Sequence, residues 1–358
     1  MRKPPTFQKL DVRFGEPTFP ASATIAFEDN SGQKTQSAQQ ITVLAGKRGT
    51  WILELTPHER LPKGSKVAFR KLERDFRFAY RHQHHWPDAM NYVTVVDQRG
   101  QALPFECDTC LKSAVWAVVT LRRDWDPGKK IVIRMGDQRE GGAGSYAQPN
   151  SYERARVAAG VMLEGDQVYR AAPGAMVSIK VVPCPPVKQY YVLAPSTVLP
   201  GQTFTTVVLP VDINGNAMDA SRDIEIVPSG GTLEAIRETD LQTLHADVAL
   251  KEQGVVRLKL QDRARGITAQ SNPVRVSSGA DYHVYWGELH WHGFDAVELN
   301  VLNDNTHPDK PSSTAETSPG STFAPWARIS FDTAPRQCTN GGNCIEKQPR
   351  NTTRKAAR

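Results

Sequence analysis

The chain has 358 residues, of which 39% are hydrophobic and 23% charged, enough for two or three domains with real cores. No apolar run is long enough to cross a bilayer, and Met1-Arg2-Lys3-Pro4-Pro5 leads into polar residues rather than a secretory apolar stretch, so the expectation is a cytoplasmic protein with no membrane partner. The net charge of +6 owes much to the last few dozen residues (Arg336, Lys347, Arg350, Arg354, Lys355, Arg358); elsewhere bases and acids interleave, which argues against a nucleic-acid footprint.

Residues 10–185 read as one sandwich-type unit, within a first module spanning 1–187. Strands are predicted at Ser22–Phe27, Gln40–Leu44, Trp51–Leu55, Tyr92–Val96, Ala114–Leu121, Lys130–Met135, Arg156–Leu163 and Met176–Val182, rich in Val, Ile, Thr and aromatic residues and separated by Gly, Pro and Asp turns. The segment Phe69–Trp86 interleaves Arg70, Lys71, Arg74, Arg77, Arg81, His82, His84 and His85 with Phe69, Phe76, Phe78 and Tyr80. Such a mixture could stack bases, but the strict alternation of Phe76–Tyr80 favours a half-buried strand, and the histidines are not read as a site.

Cys107-Asp108-Thr109-Cys110 is a CxxC pair in a chain with five cysteines. An odd count without a secretion signal does not make a disulfide framework, a structural zinc would need a second ligand pair, and thiol exchange would need a βαβ setting. Two reduced cysteines beside a turn is the simpler reading. Gly136-Asp137-Gln138-Arg139-Glu140-Gly141-Gly142-Ala143-Gly144 lacks the Gly-Lys-Ser/Thr ending of a phosphate loop, so its glycines are expected to supply positive-φ turns.

Pro183-Cys184-Pro185-Pro186 reads as a stiff linker. Residues 188–279 follow as a second, immunoglobulin-like sandwich. Its predicted strands are Val192–Ala194, Phe204–Val211, Ile224–Val227, Leu244–Leu250, Val255–Leu260 and Val274–Val276, with an Asn-Gly turn inside Asp212-Ile213-Asn214-Gly215-Asn216.

Tyr285-Trp286-Gly287-Glu288-Leu289-His290-Trp291-His292-Gly293 is where chemistry is written most plainly. In an extended strand His290 and His292 share a face with Glu288, giving two imidazoles and a carboxylate, half of a metal site. Histidines spaced by one residue are also common on surfaces. Taken with Gly136–Gly144 and Pro200-Gly201-Gln202, this strand resembles a bacterial family of unknown function that sets β-sandwich modules before a PHP-type (polymerase and histidinol phosphatase) metallohydrolase domain. The resemblance covers most of residues 1–304. Glu288 stands where the family usually has Asp, and Gly293 where it has Thr or Ser.

The resemblance implies a mainly-β chain of two sandwiches followed, at 280–304, by the first strand of a PHP-like α/β domain. It implies that His290 and His292 ligate a divalent metal (Zn, Mn or Fe) and that Glu288 orients one of them. The metal-bound water would then hydrolyse a small-molecule or phosphoester substrate. Residues 305–358 lack any period and read as disordered; a shifted reading frame beyond about Asn303 would turn Ser313–Phe331 into a helix followed by an apolar strand ending in Ala-His. The expectation is therefore a truncated chain without robust activity. The alternative is a non-catalytic sandwich that binds glycan or protein, the former through a groove lined by Trp51, Trp86, Trp116 or Trp125. The oligomeric state is not legible.

Overall fold

The strand periodicity of the sequence becomes, in a computed structural model, an all-β arrangement over the described residues 10–72, 82–107, 115–219, 224–228, 230–238 and 243–279. The first sandwich comprises β1 (Phe14–Gly15), β2 (Ala21–Asp29), β3 (Lys34–Ser37), β4 (Gln40–Leu44), β5 (Arg48–Pro57), β6 (Lys66–Lys71), β7 (Val93–Asp97), β8 (Phe105–Glu106), β9 (Val115–Thr120), β10 (Ile131–Met135), β11 (Ser145–Tyr146), β12 (Tyr152–Met162) and β13 (Tyr169–Val182). One sheet runs β1-β13-β12-β6-β9-β8, with β4 also on β13; the other runs β3-β2-β5-β10-β7, with β11 also on β5. Between them pack Phe27, Trp51, Leu53, Leu55, Phe69, Trp116, Ile131 and Ile133, contributed at every second position of their strands.

The N-terminal segment covers the outer side of the first sheet. Val12 and Phe14 close over Ala68, Val118 and Tyr169. The Arg70 guanidinium donates to the Val12 carbonyl at 2.6 Å and lies 5.6 Å from the Phe14 ring centre. A Cβ on Gly160 would come within 2.6 Å of that ring, so the strap requires glycine there.

The second sandwich comprises β14 (Gln189–Leu193), β15 (Thr197–Val198), β16 (Thr203–Val211), β17 (Ile224–Val227), β18 (Gly231–Glu238), β19 (Leu244–Leu250), β20 (Gly254–Val256), β21 (Lys259–Asp262), β22 (Ile267–Gln270) and β23 (Val274–Val276). The order β14-β16-β19-β18 faces β17-β21-β22, and β15 pairs in parallel with β23. This is the ABED and CFG arrangement of an immunoglobulin-type sandwich, and Val192, Val208, Ile226, Val248, Leu258 and Leu260 fill it.

The single strand expected over Val255–Leu260 is broken. At Leu258 the backbone N–H donates to the hydroxyl of Ser271 at 2.9 Å instead of to a strand carbonyl, and Pro273, next to the Val256–Val274 pair, has no N–H to give. The break divides both terminal strands, into β20 and β21 and into β22 and β23.

Candidate functional site

The tryptophans settle the first question. Trp51 and Trp116 are 0% exposed and Trp125 is 2% exposed, all three in the first core, while Trp86 is half-buried in a loop. Trp51 packs its ring 4.6 Å from that of Phe27, and Trp125 donates its indole N–H to the Lys129 carbonyl at 2.9 Å. The expected aromatic groove is therefore not formed by these residues. Trp51 and Trp116 lie on β5 and β9, where Ile52 and Val115 on the opposite face are buried as well, so sequence alternation does not say which face is the inner one.

The Gly136–Gly144 loop is a self-anchored turn. Gly136, Gly141 and Gly144 have positive φ, and a Cβ at Gly142 would fall 2.3 Å from the Asp137 carbonyl oxygen. Three of its amides are engaged within the protein: Asp137 N–H donates to the Tyr92 carbonyl, Gly141 N–H to the Gln138 carbonyl, and Arg139 N–H to the Asp137 carboxylate. The Asp137 carboxylate also accepts from Thr94 Oγ1 at 2.5 Å and from Arg139 Nη2 at 2.6 Å, with Arg134 Nε at 3.4 Å. Burial pushes this carboxyl up, but the bonds from Arg139 and Thr94 outweigh it and hold the pKa at about 2.

Other carboxylates do the same work. Asp29 accepts from the Ser31 hydroxyl and from the Ser31 and Gln33 amides, which hold it at about 2. Asp166 is lowered by Arg170 and the Leu163 amide, and Asp124 by the Lys63 amide and Arg60. Asp262, fully buried, accepts from Tyr190 Oη at 2.5 Å and from Arg265 Nη1 at 3.1 Å. These groups are shifted away from neutrality and fastened to turns, the opposite of a carboxyl tuned for proton transfer.

His84 packs against His85 with ring centres 4.1 Å apart and the planes tilted by 38°, and meets Phe105 edge-on; burial and then the neighbouring His85 lower its pKa. His82 is buried beside Gln83, whose side chain bonds the amides of His85 and Trp86 and the carbonyls of Trp86 and Met90. Cys107 is fully buried and its thiol donates to the Trp116 carbonyl. Among the described residues no group of three or more His, Cys, Asp and Glu is placed to hold a metal ion. Glu288, His290, His292, Cys110, the Phe76–Tyr80 strand and the tail lie outside the described residues.

A different feature stands out on the second sandwich. β18 pairs with β19 along one side, and among the described residues no strand pairs with its other side. Its register opposes Leu233 to Val248 and Ile236 to Ala246, with Glu234 inserted between as a bulge. Val248 and Ala246 are buried, so Leu233 and Ile236 share the core-facing side of the sheet, yet they are 37% and 40% exposed. Val227, at the end of β17, is exposed nearby in sequence. Strand prediction misses β18 altogether, because the bulge breaks the alternation that would have revealed it.

No family model matches the chain, and no curated protein matches it. Among solved structures, Yersinia pseudotuberculosis InvD is 14% identical with a TM-score of 0.33, covering 70% of this chain and 58% of that one. Invasin, a bacterial integrin-binding protein, is 13% identical with a TM-score of 0.30, covering 72% of this chain and 41% of that one. BspA_C_mut is 10% identical with a TM-score of 0.31, covering 71% of this chain and 98% of that one. The chain thus spans less than two thirds of the length of the first two.

Proposed function

We propose that the two sandwiches form a non-catalytic protein-binding arm, which recognises an extended segment of a partner at the open edge β18. The observation that carries the reading is the exposure of Leu233 and Ile236 on the core-facing side of an edge strand. An added strand would take up the backbone groups of β18 that pair with no strand among the described residues and bring apolar side chains over this shelf. Glu234 bonds the Thr232 hydroxyl at 2.9 Å and makes no ion pair among the described residues, so the fitting partner strand is apolar at alternate positions and carries Lys or Arg opposite Glu234. Burial of Trp51, Trp116 and Trp125 takes three of the four candidate tryptophans out of reach of a glycan, which favours a protein partner.

Panning displayed twelve-residue peptides on the whole chain tests this. Basic, alternately apolar peptides are expected; Ile236→Lys should weaken their binding at least tenfold, and Glu234→Lys should select acidic peptides instead. Peptides indifferent to both substitutions, or recognition on a glycan array, would overturn it.

A second reading rests on Glu288, His290 and His292 and their resemblance to the PHP-type first strand. It would make this arm the leading part of a metal-dependent phosphoester hydrolase. Titration of Zn or Mn into the whole chain, compared with His290→Ala, decides whether those residues hold metal.

A further inference from the structure

We infer that the two sandwiches are locked into one rigid body by the side-chain amide of Asn216. The lock is assembled from the turn that follows β16. Gly215 has φ of +87°, its N–H donates to the Asp212 carbonyl, and the Asp212 N–H donates to the Asn216 carbonyl. The buried Asp212 carboxylate fastens this turn from within: Oδ1 accepts from the Asn214 and Asn216 amides at 2.8 Å each, and Oδ2 accepts from Asn216 Nδ2 at 2.9 Å. Oδ2 also accepts from the backbone N–H of Cys184 at 2.7 Å, tying the linker to the same point.

Held this way, the turn presents two amides to the first sandwich. Asn216, 5% exposed, accepts from the Ser151 N–H at 2.6 Å and donates to the Pro149 carbonyl at 2.7 Å. It therefore reads the backbone of residues 149–151 as a neighbouring strand would, with one acceptor and one donor. Asn214 donates to the Ala45 carbonyl at 3.2 Å, and a Cβ on Gly46 would come 3.0 Å from its Oδ1. The seat is itself braced, because Gly46 N–H donates to Gln148 and Ala147 N–H to Lys47.

The chemistry of the lock is specific to an amide. Asp in place of Asn216 keeps the shape but turns the donor into an acceptor, facing the Pro149 carbonyl and the Asp212 carboxylate together. Neither partner has a hydrogen to offer. A one-atom exchange should therefore open the junction while leaving both cores intact, since only Ala45 and Ala147, at the margin of the first core, belong to the seat and both meet it through their backbones.

The test compares the whole wild-type chain with Asn216→Asp, with the milder Asn214→Ala, and with Lys251→Gln, an exposed position outside the seat, as a control with the same change of charge. Peptide-resolved hydrogen exchange is followed over 45–47, 149–151 and 183–188, and over β5 and β19 as reporters of the two cores. In Asn216→Asp the seat and linker should exchange at least tenfold faster with β5 and β19 unchanged; Asn214→Ala should give a smaller change of the same pattern, and Lys251→Gln none. Small-angle scattering should widen from one module orientation to several in Asn216→Asp. Should Asn216→Asp expose a core, Asn214→Ala carries the test alone. Seat and linker exchange at the wild-type rate in both variants, or a wild-type scattering curve that requires many orientations, would overturn the lock.

Discussion

Asp137 and Tyr190 show how single residues hold loops to the frame. Asp137 has a folded pKa of about 2 against an ordinary value of 3.8, so the stability it contributes is fully present above that ordinary value and is lost as pH falls toward 2. Asp137→Asn should cost roughly 2 kcal/mol at neutral pH, since Arg139 and Arg134 lose their counter-charge at a buried position. The same variant should flatten the acid limb of a urea-midpoint titration; an unchanged limb would show that Asp137 does not set it. Tyr190 behaves in the opposite sense. Burial and its bond to Asp262 push its phenol up to about 12, so its contribution is present below pH 10.0 and is lost as pH rises toward 12. Tyr190→Phe leaves the fully buried Asp262 with Arg265 as its side-chain donor and should lower stability by about 1–3 kcal/mol, read by thermal melting.

Among the elements, the N-terminal strap is the most exposed to one steric choice. Gly160→Val would drive a side chain into the Phe14 ring, lifting Val12 and Phe14 from Ala68, Val118 and Tyr169 at a cost of about 1–3 kcal/mol. Faster amide exchange over residues 10–15 with an unchanged β5 is the expected signature. The strap also marks what the sequence hides. Gln40–Leu44, Ile224–Val227, Leu244–Leu250 and Val274–Val276 are strands with the bounds their alternation predicts, because each presents one face to a core. β1 has two residues and pairs in parallel with a strand more than 150 residues on, so no local pattern announces it. β18 is hidden by its bulge, and the burial of Trp51 and Trp116 by strands covered on both faces. The element proposed here as the binding edge was therefore illegible, and the conspicuous histidine strand lies outside the described residues.

At the scale of the whole molecule, the lock determines whether stability is shared. Asn216 and Asn214 make three side-chain hydrogen bonds to the first sandwich, at Ser151, Pro149 and Ala45. At roughly 0.5–1.5 kcal/mol each, these supply about 2–4 kcal/mol of coupling. That is comparable to the effect of a single core truncation, which makes a double-mutant cycle decisive. Leu260 is buried in the second core, and Leu260→Ala should destabilise that sandwich by about 2–5 kcal/mol. With the lock intact, part of this loss must reach the seat on the first sandwich, because unfolding the second removes the bonds on it. Exchange over 45–47 and 149–151 should then quicken in Leu260→Ala alone, with β5 unchanged. In Leu260→Ala combined with Asn216→Ala the second sandwich should unfold earlier still, while the seat exchanges as in Asn216→Ala by itself. If the seat ignores Leu260→Ala even when Asn216 is present, the sandwiches are independent beads and the junction is only a contact.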